Sequence, residues 1–131
     1  MIRIAINGFG RIGRSFFRTV FKNPKFKIVV INDLSEVKVL SHLLNYDSIH
    51  GRFPERVSYD KKNLIIDNKK IPVLNYSEVD LIPWGDFNVD LVIEATSKNL
   101  SKSLAIKHIN SGSKKVILSA PPKDKYIKTV G

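Results

Sequence analysis

The chain contains no cysteine. That excludes disulfides, thiolate metal sites and a cysteine nucleophile among these residues. Acid is scarce too, with 12 Asp and Glu against 22 Lys and Arg and a formal net charge of +10. A surplus of that size raises the question of nucleic acid. The lysines, however, are scattered from Lys22 to Lys128 with no aromatic-studded basic stripe. The charge therefore reads as a solvated surface whose potential also helps capture an anionic ligand, and no specific nucleic-acid partner is expected. No apolar run approaches the roughly 20 residues needed to span a membrane. The opening run Met1–Ile6 soon meets Gly8 and lacks the length and cleavage pattern of a signal peptide. A soluble, cytoplasmic chain without a membrane partner is the expectation. Asp86, Asp90 and Glu94 match no metal-ligand spacing, so no metal is expected.

What is present suits one domain over residues 1–131, and 43% hydrophobic residues can supply its core. Arg3–Asn7 reads as a buried strand stopped by Gly8. From Arg11 the period changes: Ile12, Phe16 and Val20 recur at helical spacing, with Phe17 and Phe21 on an adjoining stripe, until Asn23-Pro24. Lys27–Asn32, rich in β-branched residues, is a second strand. Val37, Leu40, Leu43 and Leu44 predict a second helix, with Ser35 as its candidate cap. Val57, Leu64–Ile66 and Ile71–Val73 predict short strands, the last two joined by a turn at Asp67–Lys70. Asp90–Glu94 is a further core strand. Ser101–Asn110 reads as a helix with Leu104, Ile106 and Ile109 apolar, and Val116–Leu118 as the last clear strand before Pro121-Pro122.

Alternating strands and helices imply a doubly wound parallel sheet. Gly8-Phe9-Gly10-Arg11-Ile12-Gly13 fits G-x-G-x-x-G with a strand before it and a helix after it. Asp33 closes the next strand 20 residues beyond Gly13 (33 − 13), the separation expected of a dinucleotide fingerprint. In that pattern Gly8 permits a tight turn, Gly10 lets a pyrophosphate approach the backbone, and Gly13 lets the helix lie close on the strand. The N–H groups that open the helix face the phosphates. A carboxylate at Asp33 accepts hydrogen bonds from ribose hydroxyls and repels a 2′-phosphate, which favours NAD over NADP. The fold class expected is α/β: a Rossmann-type doubly wound parallel sheet with a small antiparallel insertion. With no closing helix after the last strand, a C-terminally truncated version is expected.

Asn7–Arg14 goes beyond the generic fingerprint and resembles the opening of the glyceraldehyde-3-phosphate dehydrogenase family. The resemblance continues at Ile31-Asn32-Asp33-Leu34, at Tyr46–Phe53 with Ile49 where the family usually has threonine, at Trp84-Gly85-Asp86 and at Ser119-Ala120-Pro121. It spans essentially all 131 residues in family order. It implies that the backbone of Arg11 and Ile12 faces the pyrophosphate of NAD and that Asp33 holds the adenosine ribose. It places Thr96 at a cofactor-contact position near the nicotinamide half, and Ser119 close to the nicotinamide end. Three departures stand out: Ser97 for a glycine, Asn99-Leu100 for an aromatic segment, and Ser77 where an arginine beside the adenine is common.

The family reaction is glycolytic, carried out by a homotetramer with a cysteine nucleophile and a partner histidine. With no cysteine here, no dehydrogenase turnover is expected of the chain alone. His42, His50 and His108 are the only histidines. His42 reads as a helix residue in solvent or satisfied in the core, Ser48 and His50 as part of a structural loop, and His108 as a helix-surface residue. Glu94 reads as structural or near the cofactor, and Trp84 and Tyr46 as packing aromatics. The NAD-binding portion of a phosphorylating, NAD-dependent glyceraldehyde-3-phosphate dehydrogenase is the leading reading. A stand-alone NAD-binding or interaction module, a degenerate relative and an erythrose-4-phosphate dehydrogenase stay open beside it.

Overall fold

The computed structural model describes residues 1–46, 57–96 and 101–119 and the backbone of 127–130. The expectations for Ser97, Asn99-Leu100, Pro121-Pro122 and most of the Tyr46–Phe53 segment, with Ser48 and His50, lie outside the described residues.

Strands β1 (Ile2–Asn7), β2 (Phe26–Asn32), β3 (Val57–Tyr59), β4 (Asn63–Ile66), β5 (Lys69–Leu74), β6 (Leu91–Glu94), β7 (Lys115–Ser119) and β8 (Ile127–Val130) form one sheet in the order β3-β4-β5-β2-β1-β6-β7-β8. The centre, β5-β2-β1-β6-β7, is parallel, while β3 and β4 on one edge and β8 on the other run antiparallel to their neighbours. The expected insertion is thus a hairpin extension of the same sheet. Its turn is tight because Asp67 and Asn68 both take positive φ (51° and 68°), the geometry that matches strand twist in two-residue hairpins. β8 adds a strand beyond the last one read from the sequence.

Helices α1 (Arg11–Val20), α2 (Val37–Asn45) and α3 (Lys102–Asn110) cover both faces. Along β1, Ile4 and Ile6 pack with Phe17 and Val20 of α1 and Leu40 and Leu44 of α2, whereas Ala5 points to the other face. That second face gathers Trp84, Val92, Val116 and Ala105 of α3. Period-two alternation therefore builds two cores, one under each helical layer. In β2 the adjacent Val29 and Val30 both join the second core. The register explains it: Ile4 pairs with Ile28 but Ala5 with Val30, so Val29 is the extra residue of a β-bulge.

The structure sharpens the reading of α1 and α3 and corrects the cap of α2. In α1 the inward stripe is Gly13, Phe17 and Val20, with Ile12 and Phe16 only partly buried. Close contact of Gly13 with the preceding loop fixes the helix's rotation. Ser35 does not cap α2: Glu36 occupies that position, and Ser35 N–H instead donates to Asp33. In α3 the inward residues are Ala105 and His108, and Ile106 lies outward, 44% exposed. Ser101 is its cap, accepting from Leu104 N–H at 3.2 Å. Among the described residues no helix is long and apolar enough to cross a membrane.

Phe17 ties α1 to the sheet, wholly buried, edge-on to Phe9 (5.6 Å between ring centres) and stacked on Phe21 (5.0 Å). Phe17→Ala is expected to cost about 3–5 kcal/mol of unfolding free energy, seen as a lower urea midpoint at unchanged slope. A cost below about 1 kcal/mol would contradict this packing.

Candidate functional site

In this sheet the connection from β1 leads to β2 on one side, while β6 flanks β1 on the other. The order in which parallel strands are added thus reverses at β1, and the carboxyl ends of strands at such a point frame a crevice. The structure has one there, of about 440 Å³. Its walls come from the ends of three strands and the first residues beyond them: Asn7, Gly8 and Gly10 at β1, Asn32 to Leu34 at β2, and Glu94 to Thr96 at β6. Tyr76, Ser77, Val79 and Leu104 close the sides. That volume is in the range of small-molecule sites.

The loop between β1 and α1 is built by close approach. Gly8 has φ +94°, and a Cβ there would stand 2.8 Å from the Thr96 side chain and 2.9 Å from its amide. At Gly13 a Cβ would fall 2.2 Å from the carbonyl oxygen of Gly8, a contact only glycine permits. Gly10 is different: a Cβ there meets nothing within 4 Å, so the loop faces open space. Gly10 also caps α1, whose first amides (Arg11, Ile12, Gly13) lack partners within the helix. Arg14 N–H is the first to bond back, to Gly10 O at 2.9 Å.

Asp33 is turned toward this loop. Its Oδ2 accepts from Phe9 N–H at 2.7 Å and its Oδ1 from Ser35 N–H at 2.9 Å. The carboxylate is only partly buried and keeps lone pairs for a ligand. Of the residues singled out in the sequence, Gly8, Gly10, Asp33 and Thr96 meet as walls of the crevice. Arg11 and Ile12 stand beside it in the first turn of α1, and Gly13 is buried beneath. Ser119 closes β7, one residue past the Glu94–Leu118 pair, and is not part of the wall.

Beneath the crevice lies a feature that sequence reasoning missed. Glu94 is wholly buried. Its Oε1 accepts from Asn7 Nδ2 at 2.7 Å and lies 2.7 Å from His108 Nε2. Its Oε2 accepts from Thr96 N–H at 3.0 Å and from Thr96 Oγ1 at 2.5 Å. His108, expected on the helix surface, is wholly buried, and its Nδ1 accepts from Trp84 Nε1 at 2.9 Å. Trp84 therefore has a polar as well as a packing role. His42 is a solvent-facing helix residue, its ring 4.9 Å from that of Tyr46. The only signal in the sequence for the buried set was that His108 and Ala105 share one helix face with Leu104 beside them.

Burial raises the Glu94 carboxyl, but hydrogen bonds from His108, Thr96 and Asn7 outweigh it, so its pKa lies below the ordinary value of 4.5. A folded-state pKa below the unfolded one gives stability that is present above pH 4.5 and lost as the pH falls through that value and below. Glu94→Gln sets an amide NH₂ against N–H donors. It should cost about 3 kcal/mol at pH 7 and flatten part of the acid limb of stability against pH, both readable from urea melts. Unchanged melts at both ends of the pH range would rule out an ionised Glu94.

The match to known proteins agrees with this geometry. Residues 2–102 fit the family described as the NAD binding domain of glyceraldehyde 3-phosphate dehydrogenase. The chain is 46% identical to glyceraldehyde-3-phosphate dehydrogenase of Thermotoga maritima, covering 99% of this chain and 40% of that protein. It is 43% identical to that of Geobacillus stearothermophilus and 46% to that of Mycoplasma pneumoniae, covering 98% of this chain and 38% of each. It thus spans about 40% of the length of these relatives. The chain belongs to the NAD-binding domain family of glyceraldehyde-3-phosphate dehydrogenase, corresponding to the N-terminal portion of the full-length enzymes.

Proposed function

We propose that residues 1–131 form one NAD-binding unit of a cytoplasmic, phosphorylating, NAD-dependent glyceraldehyde-3-phosphate dehydrogenase that works in glycolysis as a homotetramer. In this reading Gly8, Gly10 and the amides of Arg11, Ile12 and Gly13 take the pyrophosphate. Asp33 takes the adenosine ribose, and Thr96 and Ser119 stand toward the nicotinamide half. The observation that carries it is the orientation of Asp33. A carboxylate anchored by Phe9 N–H sits at the mouth of the glycine loop, over open space at Gly10.

The fit can be judged from the residues present. The open side of Gly10 leaves room for a phosphate against bare backbone, and the first turn of α1 supplies donors and a favourable dipole. Asp33 uses one lone pair of each oxygen internally and has capacity left for a pair of hydroxyls. Its charge, close to the ribose position, disfavours a second phosphate there. When bound, NAD supplies the hydride acceptor. This chain's part is to grip and orient it. The thiol that attacks an aldehyde is not among these 131 residues, and we place that step in the rest of the enzyme.

Isothermal titration of the 131-residue chain tests the assignment. NAD and ADP-ribose should bind, and NADP should bind more weakly. Asp33→Ala should weaken NAD by about tenfold or more, the scale of losing hydrogen bonds to a charged acceptor. Equal affinity for NAD and NADP, or thermal unfolding indifferent to millimolar NAD, would favour a degenerate relative instead.

A further inference from the structure

We infer that Trp84 and His108, neither of which lines the crevice, are positioning residues that act through Glu94 to make the Thr96 hydroxyl a hydrogen-bond acceptor toward the bound dinucleotide. The inference rests on the NAD reading above.

The argument is one of hydrogen-bond direction. An indole N–H can only donate, and a carboxylate can only accept. Trp84 Nε1–H ends on His108 Nδ1, so that nitrogen must be bare and the ring proton must sit on Nε2. Nε2–H then points at Glu94 Oε1. From the opposite side a second line converges on the same carboxylate. Tyr76 N–H donates to Asn32 Oδ1 at 2.8 Å, Asn32 Nδ2 to Asn7 Oδ1 at 2.8 Å, and Asn7 Nδ2 to Glu94 Oε1 at 2.7 Å. The backbone amide of Tyr76 is, like the indole, a group that can only donate.

Every ambivalent group between these fixed ends is thereby settled: both asparagine amides, the histidine tautomer and the threonine rotor. Thr96 spends its hydroxyl hydrogen on Glu94 Oε2, beside its own backbone N–H. What it can show the crevice is lone pairs, which suit the hydroxyl of a ribose or the amide NH₂ of a nicotinamide and disfavour a phosphate oxygen. Asn32 also receives a second link, its Nδ2 donating to Tyr76 O at 2.9 Å, so the opposite wall is clamped at both backbone atoms of one residue. Helix α3 thus bears on the site twice, through Leu104 on its side wall and through a residue that does not touch it. That residue, His108, sits at the back of the line, 14 residues from Glu94 in sequence and wholly buried.

A double-mutant cycle on the 131-residue chain separates positioning from general support. His108→Leu keeps bulk but removes the donor to Glu94. It should weaken NAD by about tenfold in the native background yet by less than about twofold in a Thr96→Val background, where no hydroxyl remains to be oriented. His108→Gln, which retains one acceptor and one donor, should recover affinity to within about threefold of native. An equal loss in both backgrounds, or none in the native one, overturns the inference. If His108→Leu does not fold, Trp84→Phe takes its place in the same cycle under the same criteria. Nitrogen-15 NMR of the free chain gives a readout independent of binding. It should show a bare Nδ1 and protonated Nε2 on His108, with that preference lost in Trp84→Phe; the opposite tautomer overturns the inference. If the native chain fails to bind NAD while the tautomer is as stated, the NAD reading falls and the inference falls with it. If NAD binds but the cycle is additive, the inference alone falls.

Discussion

A buried carboxylate with no lysine or arginine against it among the described residues is the constraint around which this sheet is organised. Taking Glu94 out of water is costly unless its lone pairs are used. Here four donors use them, from Asn7, His108 and twice from Thr96. Satisfying one charge therefore fixes residue types on β1, on α3 and in the turn after β6 together. The donors are not interchangeable with apolar groups of the same size, because removing any one leaves a charge partly unpaired in the interior. Through Asn7 the same requirement passes to Asn32 and so to the loop that carries Tyr76. The rims of three parallel strands and two connections are thereby held by one chain of hydrogen bonds at the place where a crevice must keep its shape.

A second constraint is steric. The carbonyl of Gly8 stands so close to Gly13 that a side chain cannot fit between them. That contact sets how α1 is rotated on the sheet, which puts Gly13, Phe17 and Val20 inward and leaves Ile12 and Phe16 half-covered. It also sets where the first turn of the helix begins, and so where its amides point. Packing and binding geometry are thus two results of one close approach. The polar network and the glycine contact meet at Thr96, whose side chain and amide lie where a Cβ on Gly8 would go.

How much of this could be read from residues alone depends on how local each signal is. The strands up to β7, the glycine loop and the position of Asp33 were legible because their patterns are local: a run of branched residues, three glycines at set spacing, an acid one strand later. The hairpin was legible from its turn residues for the same reason. His108 was not. Helical periodicity treats a histidine among lysines as a surface residue, and its burial makes sense only once Trp84 and Glu94, 24 and 14 residues earlier, are known to flank it. The rotation of α1 was not legible because apolar residues at 12, 16, 17, 20 and 21 offer two nearly equal stripes, and the deciding contact is made by a residue with no side chain. Ser35 looked like a cap, but Asp33 had already claimed its amide. Glu94 was noticed as an acid at a strand end, and nothing in one strand says that a charge there will be wholly covered.

The serine at position 77, on the wall of the crevice, shows how these constraints divide the labour there. Its side chain is exposed, so its identity does not bear on the fold. The wall it belongs to is placed by its neighbour, since Asn32 holds both the N–H and the carbonyl of Tyr76. A change at 77 therefore alters what stands over the opening while leaving the opening where it was. The same separation holds on the far wall, where Ala95 packs into the core and the adjoining Thr96 answers to Glu94. Backbone positions around this crevice are fixed from below by buried amides and a carboxylate, so the residues above them are free to differ without moving the site.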